Sequence, residues 1–225
     1  MRCQAKLKLG IRNNDSSRLS HLARAEIDGN ADFAHLLGLF AAKHPGISII
    51  VDEISSTEIE TALEEGRMDV GLGFVTRYSP NLRYERLCTD EFALVVSEEH
   101  AWSKRRRVPF AELHQQRLLQ LTDSFVMRHM TDEICRKHQV RPRTVAEISS
   151  IETLLRSLAT LKAVALMPNI ALRGREGLKL KAIQLEGKNL GVEIGLLRLS
   201  DSLGNSAVSA FTTLAKATVP KMIKK

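Results

Sequence analysis

The feature that most restricts what this chain can fold into is its alternation of short β-branched runs with segments whose apolar residues recur at helical spacing. That order builds βαβ units, so the sequence predicts an α/β protein with a mostly parallel sheet. Residues 6–11 read as a first strand. Residues 31–44 read as a helix with Phe33, Leu36, Leu37 and Phe40 at helical spacing, stopped at Pro45-Gly46. A strand over 47–54, a helix over 57–65 ended by Gly66, a strand over 69–75 and a long strand over 87–97 follow. The second portion repeats the plan: a short helix at 110–114, a strand at 118–121, a helix at 122–138, a strand at 144–148, a helix at 150–161 and a strand at 163–167. A last helix spans 205–218.

One internal echo stands out. Glu53-Ile54-Ser55-Ser56-Thr57-Glu58 returns as Glu147-Ile148-Ser149-Ser150-Ile151-Glu152, each time between a strand and a helix. Ser55 with Glu58 and Ser149 with Glu152 fit a capping box, and Thr57 with Glu60 is a competing register. Each copy puts hydroxyls and free backbone N–H groups at the carboxyl end of a strand. In open α/β sheets that edge binds ligands, and a helix N-terminus favours anions. The same residues would equally serve as plain structural caps. Ser55, Ser56 and Thr57, with Ser149 and Ser150, are the candidate binding residues. Thr76, after the strand at 69–75, and Thr122 and Ser124, at a third helix start, extend the set.

Other chemistry is excluded by what the sequence lacks. No apolar run approaches the roughly 20 residues of a membrane span, and residues 1–17 are positively charged without an apolar segment, so the cytosol is the expected compartment. The three cysteines, Cys3, Cys88 and Cys135, are too scattered for a disulfide framework and read as reduced thiols. None of the seven histidines stands in an H-E-x-x-H pattern or beside a cysteine pair, so no metal is expected. The net charge of +7 gathers at Lys104-Arg105-Arg106-Arg107 and at Lys221, Lys224 and Lys225. Such a block could hold phosphates, yet no aromatics interleave it, and it reads most simply as a solvated loop and tail. Gly71-Leu72-Gly73 lacks the third glycine of a dinucleotide site and lies inside an apolar strand. Glu58, Glu60, Glu64 and Glu65 follow helical spacing and read as a solvated face. No nucleophile is paired with a base, so the chain is expected to bind rather than to catalyse, with no cofactor.

The order of features from residue 36 onward resembles the regulatory domain of LysR-type transcription regulators. Phe40-Ala41-Ala42-Lys43-His44-Pro45 is similar to the family's F-x-x-x-x-P. Leu63-Glu64-Glu65-Gly66-Arg67-Met68-Asp69-Val70-Gly71-Leu72 is similar to L-x-x-G-x-L-D-x-A-I, with Met68 for the usual Leu and Gly71 for the usual Ala. Residues 87–97 with His100-Ala101 resemble L-x-x-E-x-L-x-L-V…H-P-L-A, residues 108–113 resemble V-x-x-x-x-L, and Val164-Ala165-Leu166-Met167-Pro168 resembles V-A-L-L-P. The match runs over roughly residues 31–217 and, within the family, looks most like cyanate-operon-type regulators. Two departures are plain: residues 159–163 lack the family's glycines, and the stretch from Ile11 to Phe33 is longer than the family norm.

The resemblance implies two Rossmann-like lobes joined by two crossover segments, on the plan of type 2 periplasmic binding proteins. Lobe I is expected at 1–90 plus 169–225 and lobe II at 91–168. A small, anionic effector is expected between the lobes. The helices at 31–44 and 122–138 would pair copies into a homodimer or tetramer. DNA would be reached only through a winged helix-turn-helix absent from this chain. The alternative is a stand-alone solute-binding protein of the same fold.

Overall fold

The computed structural model describes residues 19–24, 30–74, 79–187, 190–200, 202 and 206–223. Among them the chain runs through β1 (Leu19–Arg24), α1 (Asn30–Lys43), β2 (Ile49–Glu53), α2 (Ser56–Glu64), β3 (Val70–Phe74), β4 (Leu82–Ser97) and β5 (Arg107–Pro109). It continues through β6 (Arg117–Leu121), α3 (Val126–Lys137), β7 (Arg143–Ile148), α4 (Ile151–Leu161), β8 (Ala165–Pro168), β9 (Leu180–Glu186), β10 (Gly191–Leu199) and α5 (Ser206–Ile223). Phe33, Leu36 and Phe40 are the buried side of α1, as their spacing dictates. Gly66, at φ 68°, supplies the left-handed turn after α2.

The strands form two halves with the same order. In the first half β2, β1 and β3 are parallel, and β10 and β4 follow antiparallel. In the second half β7 and β6 are parallel, and a bridge from Leu118 to Val164 joins β6 to the residue before β8. There β8 and β9 flank β4, both antiparallel to it, and β5 closes the edge beside β9. The orders β2-β1-β3-β10-β4 and β7-β6-β8-β4-β9 are therefore equivalent. Strand β4 belongs to both halves: Leu82–Glu91 pairs with β10, and Phe92–Ser97 with β8 and β9. All six residues from Phe92 to Ser97 are buried. This explains the unbroken apolar run from Phe92 to Val96, because a strand covered on both faces has no polar side.

The structure revises several expectations. The sheet is mixed, because β10 enters antiparallel to β3 in the first half and β4 antiparallel to β8 in the second. The first strand is β1 at Leu19–Arg24, and residues 6–11 lie outside the described residues. The apparent extra length before α1 thus contains the strand itself. Helix α3 starts at Val126 rather than 122, because Phe125 has an extended backbone (φ −93°, ψ 132°) and serves as its cap; the Thr122 N–H donates to the Ile148 carbonyl (3.3 Å). Strands β5, β9 and β10 were not anticipated. Strand β9 lies in the stretch assigned to lobe I, yet it hydrogen-bonds to the lobe II portion of β4 and to β5. The chain therefore passes back to the first half after Glu186, where the Phe92 N–H meets the Leu190 carbonyl (2.9 Å).

Helix α5 closes the first half. Phe211 is fully buried and meets Phe40 of α1 edge-on, with ring centroids 5.3 Å apart. Beside it, the Arg198 Nη2 donates to Glu85 Oε1 at 2.9 Å, and Lys216 pairs with the other carboxylate oxygen. Burial alone would raise the Glu85 carboxyl, but Lys216 and Arg198 outweigh it and hold it below the usual carboxylate range.

Candidate functional site

Both copies of the repeated motif fall at the second strand and second helix of their half. In the first half β2 leads into Ser55, whose extended backbone (φ −67°, ψ 153°) caps α2, and its Oγ accepts from the Glu58 N–H at 3.2 Å. Ser56 follows, 2% exposed, and its Oγ has no hydrogen-bond partner among the described residues. The competing register through Thr57 is not adopted. The Thr57 side chain and all of Thr76 lie outside the described residues.

In the second half the cap shifts by one residue. Ser150 is the N-cap of α4, its Oγ accepting from the Thr153 N–H at 3.3 Å, while Ser149 is exposed. The Ser149–Glu152 box does not form because the Glu152 carboxylate is already engaged by Arg175 Nε (2.8 Å) and Arg156 Nε (2.6 Å). Arg175 is only 7% exposed and also donates to the Ala171 carbonyl at 2.9 Å. The Arg175 guanidinium, with Arg156, holds the Glu152 carboxyl below its usual range. One carboxylate thus takes both guanidiniums beside the start of α4.

Thr122 and Ser124 lie beside this start. Their hydroxyls are 3.1 Å apart, and Thr122 is stitched to the end of β7 through its N–H. Arg128 Nη1 donates to the Leu121 carbonyl (3.1 Å) and to Glu147 (2.9 Å), fixing the ends of β6 and β7 side by side. The structure thus brings Thr122, Ser124, Ser149 and Ser150 to one strand edge, with Ser55 and Ser56 on the other half. Sequence reasoning missed Arg128 and Arg175. Arg175 sits in an irregular stretch between Gly174 and Gly177, and no periodicity marks it. Where the halves meet, Asp90 accepts from the Ile170 N–H (2.7 Å), and Asn169 Nδ2 donates to the Glu91 carbonyl (2.9 Å).

Two concavities stand elsewhere. One of about 550 Å³ lies at the end of α3, and one of about 430 Å³ lies between α1 and α5. Neither is at the helix starts, so a site there rests on topology and strand-end chemistry. Among the described residues no group of three or more His, Cys, Asp or Glu is placed to hold a metal, and no helix is long and apolar enough to cross a membrane. The Cys88 thiol is half-buried and pushed up to about 12 by burial and by the Asp90 charge; burial lifts Cys135 to about 11.

Residues 26–220 match the model of the LysR substrate binding domain. The chain belongs to the LysR substrate-binding domain family. The resemblance read from the motifs therefore holds, and the small-molecule-sensing reading stands over a free solute-binding protein. This LysR domain is 22% identical over 148 residues to a hydrogen peroxide-inducible genes activator of Haemophilus influenzae, covering 64% of this chain and 49% of that protein. The chain spans about half the length of the curated relatives it matches. Among solved structures it is similar to the regulatory domain of CcmR from Synechocystis PCC6803 in complex with 2-PG, with a TM-score of 0.80 at 16% identity over 89% of this chain and 96% of that one. The effector binding domain of QuiR in complex with shikimate gives a TM-score of 0.78 at 16% identity, over 89% and 95%. The LysR domain has the expected fold: two Rossmann-like lobes on the plan of type 2 periplasmic binding proteins, joined by two crossing segments.

Proposed function

We propose that this chain is the effector-sensing part of a cytosolic LysR-type transcription regulator, binding a small anionic molecule between its lobes without catalysing a reaction. The observation that carries the reading is the repeated motif. It occupies equivalent strand-to-helix junctions in the two halves, at the strand ends where α/β sheets take ligands. The lobes follow the strand pairing: lobe I at residues 19–90 plus 191–223, and lobe II at 91–186. Ser55 and Ser56 (with Thr57 and Thr76) would meet the ligand from lobe I, and Ser149, Ser150, Thr122 and Ser124 from lobe II. The buried Ser56 hydroxyl, unpartnered among the described residues, and the helix N-termini of α2 and α4 support an anion there. Contacts from both lobes would favour a closed form, since a ligand shifts conformation only through differential affinity. DNA would be engaged through a winged-helix part. Copies would pair through α1 and α3, and a strictly monomeric mass by light scattering at tens of micromolar would count against that pairing.

The test is calorimetry with ligands found by thermal-shift screening of small carboxylates and inorganic anions, starting with the 2-PG and shikimate carried by the structural neighbours. As mere caps, Ser55→Ala and Ser150→Ala cost about 0.5–2 kcal/mol of stability and leave affinity unchanged. As contacts, they weaken binding about tenfold per 1.4 kcal/mol lost. If Ser55→Ala, Ser56→Ala, Ser149→Ala and Ser150→Ala all bind like the parent, the cleft site is wrong.

The names of several relatives raise peroxide sensing as a second reading. Peroxide attacks the thiolate, and Cys88 and Cys135 stay protonated at neutral pH. Exposure to a modest excess of hydrogen peroxide followed by dimedone trapping and mass spectrometry should leave both unmodified. A sulfenic acid at either would restore the peroxide reading.

A further inference from the structure

We propose that the cavity at the C-terminal end of α3 is a second ligand site, separate from the lobe cleft, for a compact anion bearing phosphate or carboxylate groups. Gln139 takes a left-handed backbone (φ 54°) directly after α3, and the Val140 N–H returns to the Cys135 carbonyl at 3.0 Å. The chain therefore doubles back on the last helical turn, with Val140 buried as the anchor. On its far side the Arg141 carbonyl accepts from the Gln115 N–H (2.9 Å), and the Arg143 N–H donates to the Gln116 carbonyl (2.8 Å). The fold-back is thus pinned on both sides.

The space it encloses is about 550 Å³ and is lined by Asp132, Cys135, Arg136, Gln139, Val140 and Arg141. That size suits a small metabolite. Its charges are unequal in availability. The Asp132 carboxylate is occupied by Arg128 Nε (2.9 Å) and Gln120 Nε2 (2.9 Å). Arg141 has no carboxylate partner among the described residues, and Arg136 makes no close ion pair, feeling only the charge of Glu133, which Lys137 holds at 2.8 Å. A cation in the last turn of a helix complements the dipole, which accounts for Arg136. Arg141 lies beyond the helix, and the dipole does not account for it. The two guanidiniums, on a fixed backbone, offer paired N–H donors that match a phosphate or a carboxylate and offset the negative end of the α3 dipole. The Gln139 amide adds a neutral donor.

The experiment titrates the full chain with inorganic phosphate and, separately, with malonate, by calorimetry and by ¹H–¹⁵N shifts. Saturable binding of at least one probe, with shifts at residues 135–141, is expected. The double variant Arg136→Ala, Arg141→Ala should weaken it at least tenfold. The charge control Arg106→Ala should leave the shifts at residues 135–141 unchanged. Preference for phosphate over malonate assigns a phosphate ester; the reverse assigns a carboxylic acid. Absence of saturable shifts at residues 135–141, or an equal loss of them in Arg106→Ala, overturns the proposal. So does a change of assembled mass in the arginine variant, which would extend the α3 pairing surface over this end of the helix and leave no separate ligand site.

Discussion

Replacing Phe211 by alanine should cost this domain about 3–5 kcal/mol of stability, the range for truncating a buried phenylalanine. The side chain is fully buried and stacks edge-on against Phe40, so it joins α5 to α1 over the sheet of the first half. Its loss removes the transfer energy of the ring and leaves a void whose walls, two helices and a sheet, relax only in part. For a chain of this size the melting temperature should fall by roughly 6–20 °C. Urea denaturation followed by far-ultraviolet circular dichroism measures it. A loss below about 1 kcal/mol would mean that α5 is not held by this contact.

Gly71→Ala is the second large effect, and its sign runs against the family pattern, in which alanine is usual at that place. A Cβ on Gly71 of β3 would run into Cγ2 of Ile59 on α2, a side chain with no exposure and little rotamer freedom. Overpacking of this kind costs about 1–3 kcal/mol. The glycine is thus the partner of Ile59: one position became smaller where the facing one is branched. Ile59→Ala combined with Gly71→Ala should be more stable than the sum of the single losses by roughly 0.5–3 kcal/mol. Strict additivity in that double-mutant cycle would show that the two side chains do not compete for space.

These residues also show what a reader of the sequence can recover. Helices α1, α2 and α4 were legible because burial against one sheet face imposes helical spacing, and the rear of β4 because burial on both faces imposes an unbroken apolar run. The repeated Ser-Ser motif was legible too, since a strand-to-helix junction needs a cap wherever it occurs. Strand β1 was not. Residues 6–11 have the stronger strand pattern, whereas Leu19–Arg24 mixes Ser, His and Arg with its leucines and is held by its neighbours β2 and β3. Strand β9 buries Ile183 and Leu185 alternately, but a reading that expects a helix after every strand has no place for it. The candidate site was legible in its caps and illegible in its charges. Arg175 reaches Glu152 from 23 residues away, and only the fold brings them together. The fold-back at Gln139 depends on a backbone conformation that glutamine rarely announces.

The place of β10 has a consequence for how the chain is made. This strand lies between β3 and β4, with Gly195 opposite Gly73 on one side and near Arg86 on the other. The sheet of the first half therefore cannot close until β10 has been synthesised, long after β3. Residues 91–186, in contrast, carry the second half in one continuous stretch. At ordinary rates of translation β3 waits roughly 5–25 s for its partner, with its edge and that of β4 open. The contiguous half can complete its sheet without β10, whereas β3 and β4 keep open edges until β10 arrives.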